Sequence, residues 1–422
     1  MGCAMTPHLG RQAAILLTWS VLLPPLPVLA AGPGSGSPVR TAQPVGPPAP
    51  SATRIGPPAS TRPAFTLEAG PRQYLTARVD PRVELMSILF RLAGNPEYNM
   101  PSSQSPYSRR VEERFGSFRE HPAVEQARQL RETRGIAFDA VASLAVRLED
   151  VTELQAKVPL DSPENGLDHR WKPEEAGVFL EKARDFVREA RFTDFLAENK
   201  IYYMAAAIRM NEMLARRQCR EWFEKFFGAR PEAGFTVIVG LLTGGGNYGP
   251  SVRTADGQEE FCAILGAHHF DNSGLPVFED RVSAVLVHEF CHSYTNPLVT
   301  RRQDELEKAG RRIFATCANA MRRQAYGSWR SMMYESMVRA SVCRYVRAVD
   351  GAEAGRRQIR EELKRGFRWI EELSDLLGEY EAQRDRYPTL ESFMPEVVKF
   401  FNAYADRLGK PAIPNETASP DW

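Results

Sequence analysis

From about residue 64 to residue 228 apolar side chains recur at intervals of three and four, with few Gly or Pro interruptions. The stretches 81–94 (PRVELMSILFRLAG), 121–150, 173–199 and 200–228 each predict a helix that buries one face. The pattern changes between Phe235 and Leu265. There FTVIVGLLT and EEFCAILGA are short, apolar and rich in β-branched residues, and the Gly-rich segment GGGNYGPSVRTADGQ lies between them, which predicts two paired strands joined by a turn. Helical spacing returns in DRVSAVLVHEFCHSY, residues 280–294, with Asp280 placed to cap the first turn and Asn296-Pro297 placed to end the helix. Its apolar residues Val282, Val285, Leu286, Val287 and Phe290 surround most of the circumference, as in a helix enclosed by a domain. A basic helical stretch over 301–323, a helix over 328–349 and further helices to about residue 409 complete the pattern. The fold class expected is α+β, predominantly helical, with one small sheet.

The ends of the chain read differently. Residues 1–30 combine Arg11 with a broken apolar run and the small-residue site Val28-Leu29-Ala30, the features of an export signal, which predicts a periplasmic or extracellular protein. Pro24, Pro25 and Pro27 break the run below the length that spans a bilayer, so no stable membrane span is expected. Residues 31–63 are dense in Pro, Gly and Ser and hold almost no large apolar side chain, the composition of a linker. The remainder divides into an N-terminal helical region (64–230), a core with the strands and the 280–294 helix (231–350), a C-terminal helical region (351–414) and a polar tail (415–422). With 54 basic and 53 acidic residues the net charge is +1, which argues against a nucleic-acid partner. Once Cys3 leaves with the signal, five cysteines remain without CxxC spacing; the odd number leaves a free thiol, and one or two disulfides among the rest stay open. Cys291 reads as a buried packing residue.

The candidate chemistry sits in His288-Glu289-Phe290-Cys291-His292. Histidines four apart on a helix project from one face and can reach one zinc ion, while Glu289 stands where it can act as general base on a zinc-activated water. A catalytic zinc takes a third protein ligand. Glu335 is the choice, because it lies in the mainly apolar segment Met332 to Val338, where a carboxylate without a cation is costly. Arg339, four residues on, offers either a plain helix ion pair or a group that orients this carboxylate from behind. Asn296 is a second candidate for the outer layer. Asp304, Glu305, Glu307, His268 and His269 remain as rival ligands. Tyr326, Tyr334, Tyr345 and the two adjacent histidines are candidates for stabilising an oxyanion, and the strand at Cys262 to Ala267 could take an extended peptide by strand addition. Gly244-x-Gly246-x-x-Gly249 matches a dinucleotide fingerprint in letters only, since Pro250 and a polar turn follow where a phosphate-facing helix must begin.

HEFCHSYTNP followed some forty residues later by YESMVRA resembles the gluzincins, the peptidases whose HExxH zinc is completed by a glutamate. VDPRVELMSILFRLAGNPEY and YPTLESFMPEVVKFF look like parts of an uncharacterised group of exported bacterial proteins, known only as a domain of unknown function with a predicted peptidase site. The likeness spans about residues 74 to 405. It implies zinc on His288, His292 and Glu335 with Glu289 as base, but no substrate; the protein expected is a zinc metallopeptidase with a zincin-like core that acts on a peptide or protein. It departs from the best-known gluzincins in spacing, because the interval from His292 to Glu335 requires an inserted helix. The metzincin pattern is excluded by Thr295 and Leu298, which replace its glycine and last histidine. The alternatives are a catalytically silent zincin-like scaffold that binds a protein or cell-wall partner, and a helical protein in which HExxH is accidental.

Overall fold

Segments far apart in the chain meet in one small sheet. The computed structural model describes residues 75–101, 104–162, 166–228, 233–253 and 257–408, so the expected leader, linker and polar tail lie outside the described residues. Strand β1 (Thr76–Arg78) runs parallel to β2 (Ala233–Gly240), and β3 (Asn247–Tyr248) and β4 (Ser251–Arg253) run antiparallel to β5 (Glu259–Gly266). β2 and β5 are neighbours, as expected, but they are parallel. Parallel neighbours cannot be joined by a tight turn. The Gly-rich segment therefore crosses the end of the sheet and returns along the outer side of β5, where it forms β3 and β4. The crossing is tight: a Cβ on Gly266 would stand 2.0 Å from the carbonyl oxygen of Gly244. β5 thus has partners on both sides, and the expectation of strand addition at Cys262 to Ala267 is corrected, because the free edge belongs to β3 and β4.

Among the described residues eight α-helices lie between β1 and β2: α1 (Pro81–Leu92), α2 (Pro106–Phe115), α3 (Pro122–Arg134), α4 (Asp139–Val146), α5 (Pro173–Glu189), α6 (Phe192–Glu198), α7 (Lys200–Arg217) and α8 (Cys219–Phe227). Six follow β5: α9 (Val282–Arg301), α10 (Gln303–Arg322), α11 (Trp329–Asp350), α12 (Ala352–Lys364), α13 (Ile370–Ala382) and α14 (Leu390–Arg407). The α+β, predominantly helical class holds. Several starts are written locally. Asp80, Ser105, Ser328 and Thr389 each accept a backbone N–H inside the first turn of α1, α2, α11 and α14, caps of about 1 kcal/mol apiece. One apolar core runs through the helices before and after the sheet. No helix among the described residues is long and apolar enough to cross a membrane.

The motif helix α9 differs from expectation at both ends. It begins at Val282 without a side-chain cap, because the Asp280 carboxylate is drawn to Arg216 at 3.0 Å and Arg217 at 3.8 Å on α7. It also runs through Pro297 to Arg301. Proline removes one backbone hydrogen bond, but burial of Leu298 and Val299 in the next turn outweighs that loss. Tyr294 stacks among Phe223, Phe227, Phe235 and Phe261, which joins α9 to α8 and to both parallel strands. Such ring pairs contribute about 0.5–1.5 kcal/mol each beyond their burial, so the register of the motif is firmly held. Cys219, Cys262, Cys291, Cys317 and Cys343 are all buried and none is in a disulfide, and Cys291 packs in the core as expected. Burial raises the pKa of each of these thiols.

Candidate metal centre

Helix α9 turns its His288 and His292 toward α11, and α11 returns Glu335. The two Nε2 atoms stand 3.3 Å apart. Glu335 reaches His288 Nε2 with Oε2 at 3.7 Å and His292 Nε2 with Oε1 at 3.5 Å. These three are the one group of metal-ligating side chains found among the described residues with donor atoms within 4.8 Å of one another. The donor set fits zinc. Ligands placed 2.0–2.2 Å from a tetrahedral ion stand about 3.3 Å from each other, close to all three separations. Burial, and then the charges of His292 and Arg339, hold the His288 pKa well below its ordinary value, so this imidazole stays neutral with a lone pair to offer. His292 has the Asn296 amide 3.3–3.4 Å from its Nδ1, which leaves Nε2 facing inward.

A buried charge network stands behind Glu335. Arg339 donates from Nε to Glu335 Oε2 at 3.1 Å, from Nη1 to Glu362 Oε2 at 2.6 Å and from Nη2 to the Tyr326 hydroxyl at 2.8 Å. Phe367 lies under its guanidinium, 4.9 Å from ring centre to Cζ. Burial disfavours the charged form of Arg339, but Glu362 and Glu335 more than reverse this and raise its pKa. Glu362, 2% exposed, also accepts from Gln358 Nε2 and Arg365 Nη1. Glu362 escaped the sequence reading. The signal for it was present, since Gly355, Ile359 and Glu362 fall on the inward stripe of an otherwise polar α12.

Glu289 is 5% exposed, and its pKa is pushed up to about 8, first by burial and then by the negative charge of Glu335. Its backbone is pinned by the sheet, since a Cβ on Gly249 would lie 2.5 Å from the Glu289 carbonyl oxygen. That contact is where the Gly-rich segment touches the motif. The rival ligands lie elsewhere. Glu305 and Glu307 pair with Arg302 and Arg311 on the outer face of α10, Asp304 is exposed there, and His268 binds the Gly266 carbonyl with His269 packed beside it. Tyr345 bonds to the Arg217 carbonyl and the Cys219 thiol, Tyr326 is shared between Arg339 and Glu335, and Tyr334 meets Thr300 at 2.9 Å. The long interval from His292 to Glu335 is filled by α10, a helix placed between the two ligand helices.

The chain belongs to the family described as Domain of unknown function (DUF4932), whose model matches residues 75–400. The match covers the whole sheet, α9, α11 and the network around Glu362. No curated protein and no solved structure was found to match it.

Proposed function

We propose that this protein is a zinc-dependent peptidase of gluzincin type. The observation that carries the reading is the convergence of His288 Nε2, His292 Nε2 and the Glu335 carboxylate at zinc-ligand spacing, with a buried glutamate next in sequence to the first histidine. His288, His292 and Glu335 would hold the ion. Zinc bound there would polarise a peptide carbonyl and make a water acidic near neutral pH. Asn296 orients His292, and Arg339 bonds the Glu335 oxygen that faces His288. Glu289 takes the proton of the attacking water on its carboxylate and passes it to the nitrogen of the leaving amine. Its burial keeps bulk water from competing for that proton. The apolar leader of residues 1–30 supports export, so the proposed setting is the periplasm or the cell exterior.

Metal analysis of the purified protein, paired with digestion of a peptide library, tests this. One zinc per chain is expected, lost in His288→Ala and in His292→Ala. Glu289→Gln should keep zinc and lose roughly a hundredfold to ten-thousandfold in hydrolysis. Stoichiometric zinc in both histidine variants would remove the metal site. Zinc without hydrolysis in the parent would leave a silent scaffold, and undiminished hydrolysis in Glu289→Gln would remove the base.

A further inference from the structure

We infer that Glu362 is a positioning residue for the metal ligand Glu335 and that it acts by competing for Arg339; this rests on the reading of the triad as a zinc site. Among the described residues Arg339 is the group that bonds both carboxylates, and it has partners on all three nitrogens. Nε goes to Glu335, Nη1 to Glu362 and Nη2 to Tyr326. A guanidinium beside a single carboxylate closes a two-pronged pair with both oxygens. Here Glu362 and Tyr326 each draw on one outer nitrogen, and Glu335 contacts Arg339 through Nε alone, with Oε1 turned to His292.

The charges point the same way. Glu335 and Arg339 alone would present a neutral pair to a divalent cation, whereas Glu362, itself paired with Arg365 on its far oxygen, draws part of the Arg339 charge away from Glu335 in a place that water hardly reaches. Glu362 is anchored independently of the site, by Gln358 and Arg365 on its other oxygen. Its hold on Arg339 therefore does not depend on Glu335. The sheet, α9 and the two histidines take no part in this competition, so its effect falls on one ligand.

The test uses zinc alone and the intact protein, with affinity read by competition against a chelating indicator. Glu362→Gln keeps size and hydrogen-bonding reach but gives up the charge, and should weaken zinc binding roughly ten- to a hundredfold. Adding Arg339→Gln removes the competitor and should return affinity to within a few-fold of the parent, roughly the scatter of such measurements. A Glu362 that served only to hold α12 in place would give the opposite result, with the second substitution leaving or deepening the loss. Equal affinity in Glu362→Gln and parent, or no recovery in the double variant, overturns the inference. If Glu362→Gln fails to fold by circular dichroism, Tyr326→Phe decides; it takes one hydroxyl from the same guanidinium and from Glu335, so the recovery on adding Arg339→Gln, rather than the loss alone, is the reading. Tyr326→Phe should cost zinc affinity severalfold, in a way that Arg339→Gln relieves, and unchanged affinity there, or a loss without that recovery, overturns the inference. A parent that binds no zinc at the histidines removes the underlying reading itself, an outcome distinct from tight parent binding that Glu362→Gln leaves intact.

Discussion

Replacing Glu289 by glutamine should make the metal-free protein more stable, by an amount that grows with pH. The folded-state pKa of this carboxyl is pushed from 4.5 up to about 8, whereas the unfolded chain leaves it near its ordinary value. Between these values the unfolded state ionises freely while the folded state must keep its proton. Stability therefore falls as pH rises through that window and levels off above it. At about 1.36 kcal/mol per pH unit the penalty is about 3 kcal/mol at pH 7 and under about 1 kcal/mol at pH 5. Glutamine fills the same space without a charge, so it removes the slope. Its amide hydrogens need acceptors of their own, which makes about 3 kcal/mol an upper bound. Denaturant unfolding of the chelator-treated parent and variant, at pH 5 and pH 7, reads the difference directly. Adding zinc should shrink it, because a nearby cation lowers the Glu289 pKa. A variant no more stable than the parent at pH 7, or a gap that does not widen between the two pH values, would refute the reasoning.

Glu335→Gln should weaken zinc binding by more than roughly a hundredfold, beyond what loss of an outer-layer group costs, while Asp304→Asn and Glu307→Gln leave it unchanged; equilibrium metal titration separates them. Gly249→Ala would press a methyl group against the Glu289 carbonyl oxygen, 2.5 Å away, and should cost about 1–3 kcal/mol in a thermal melt and lower hydrolysis at temperatures where the variant stays folded. Tyr107→Phe removes the hydroxyl that donates to the fully buried Glu84 at 2.7 Å and should cost about 1–3 kcal/mol in urea. Unchanged stability in Tyr107→Phe would show that Glu84 needs only the Leu241 backbone N–H, 3.1 Å from its other oxygen.

The helices and the cluster of His288, His292 and Glu335 were open to sequence reasoning for a shared physical reason. A helix writes its contacts at fixed short intervals, so His288 with His292 and Glu335 with Arg339 show as spacings of four. Sheet topology leaves no such trace. FTVIVGLLT and EEFCAILGA identify themselves as strands, but their parallel pairing and the return of β3 and β4 along β5 depend on where the connection packs. β1 is three residues with only Ala77 buried, too short to carry a period; what holds it is Asn211 on α7, which bonds the Ala77 N–H at 2.7 Å. Pro297 misled because a local breaker was outvoted by burial beyond it. Glu362 was missed because its partner lies on a different helix.

His288, His292 and Glu335 lie on α9 and α11, with only α10 between them, whereas Thr76 of β1 must find Thr236 of β2. Contacts between nearby helices form in microseconds to milliseconds, and pairings across long stretches of chain come later. On the proposed reading the ion is captured by an early, local event. Glu289 is seated against Gly249 only when the sheet and its returning strands have closed. On that same reading a chain in mid-fold would hold its metal before it could hydrolyse anything, its own unfolded neighbours included.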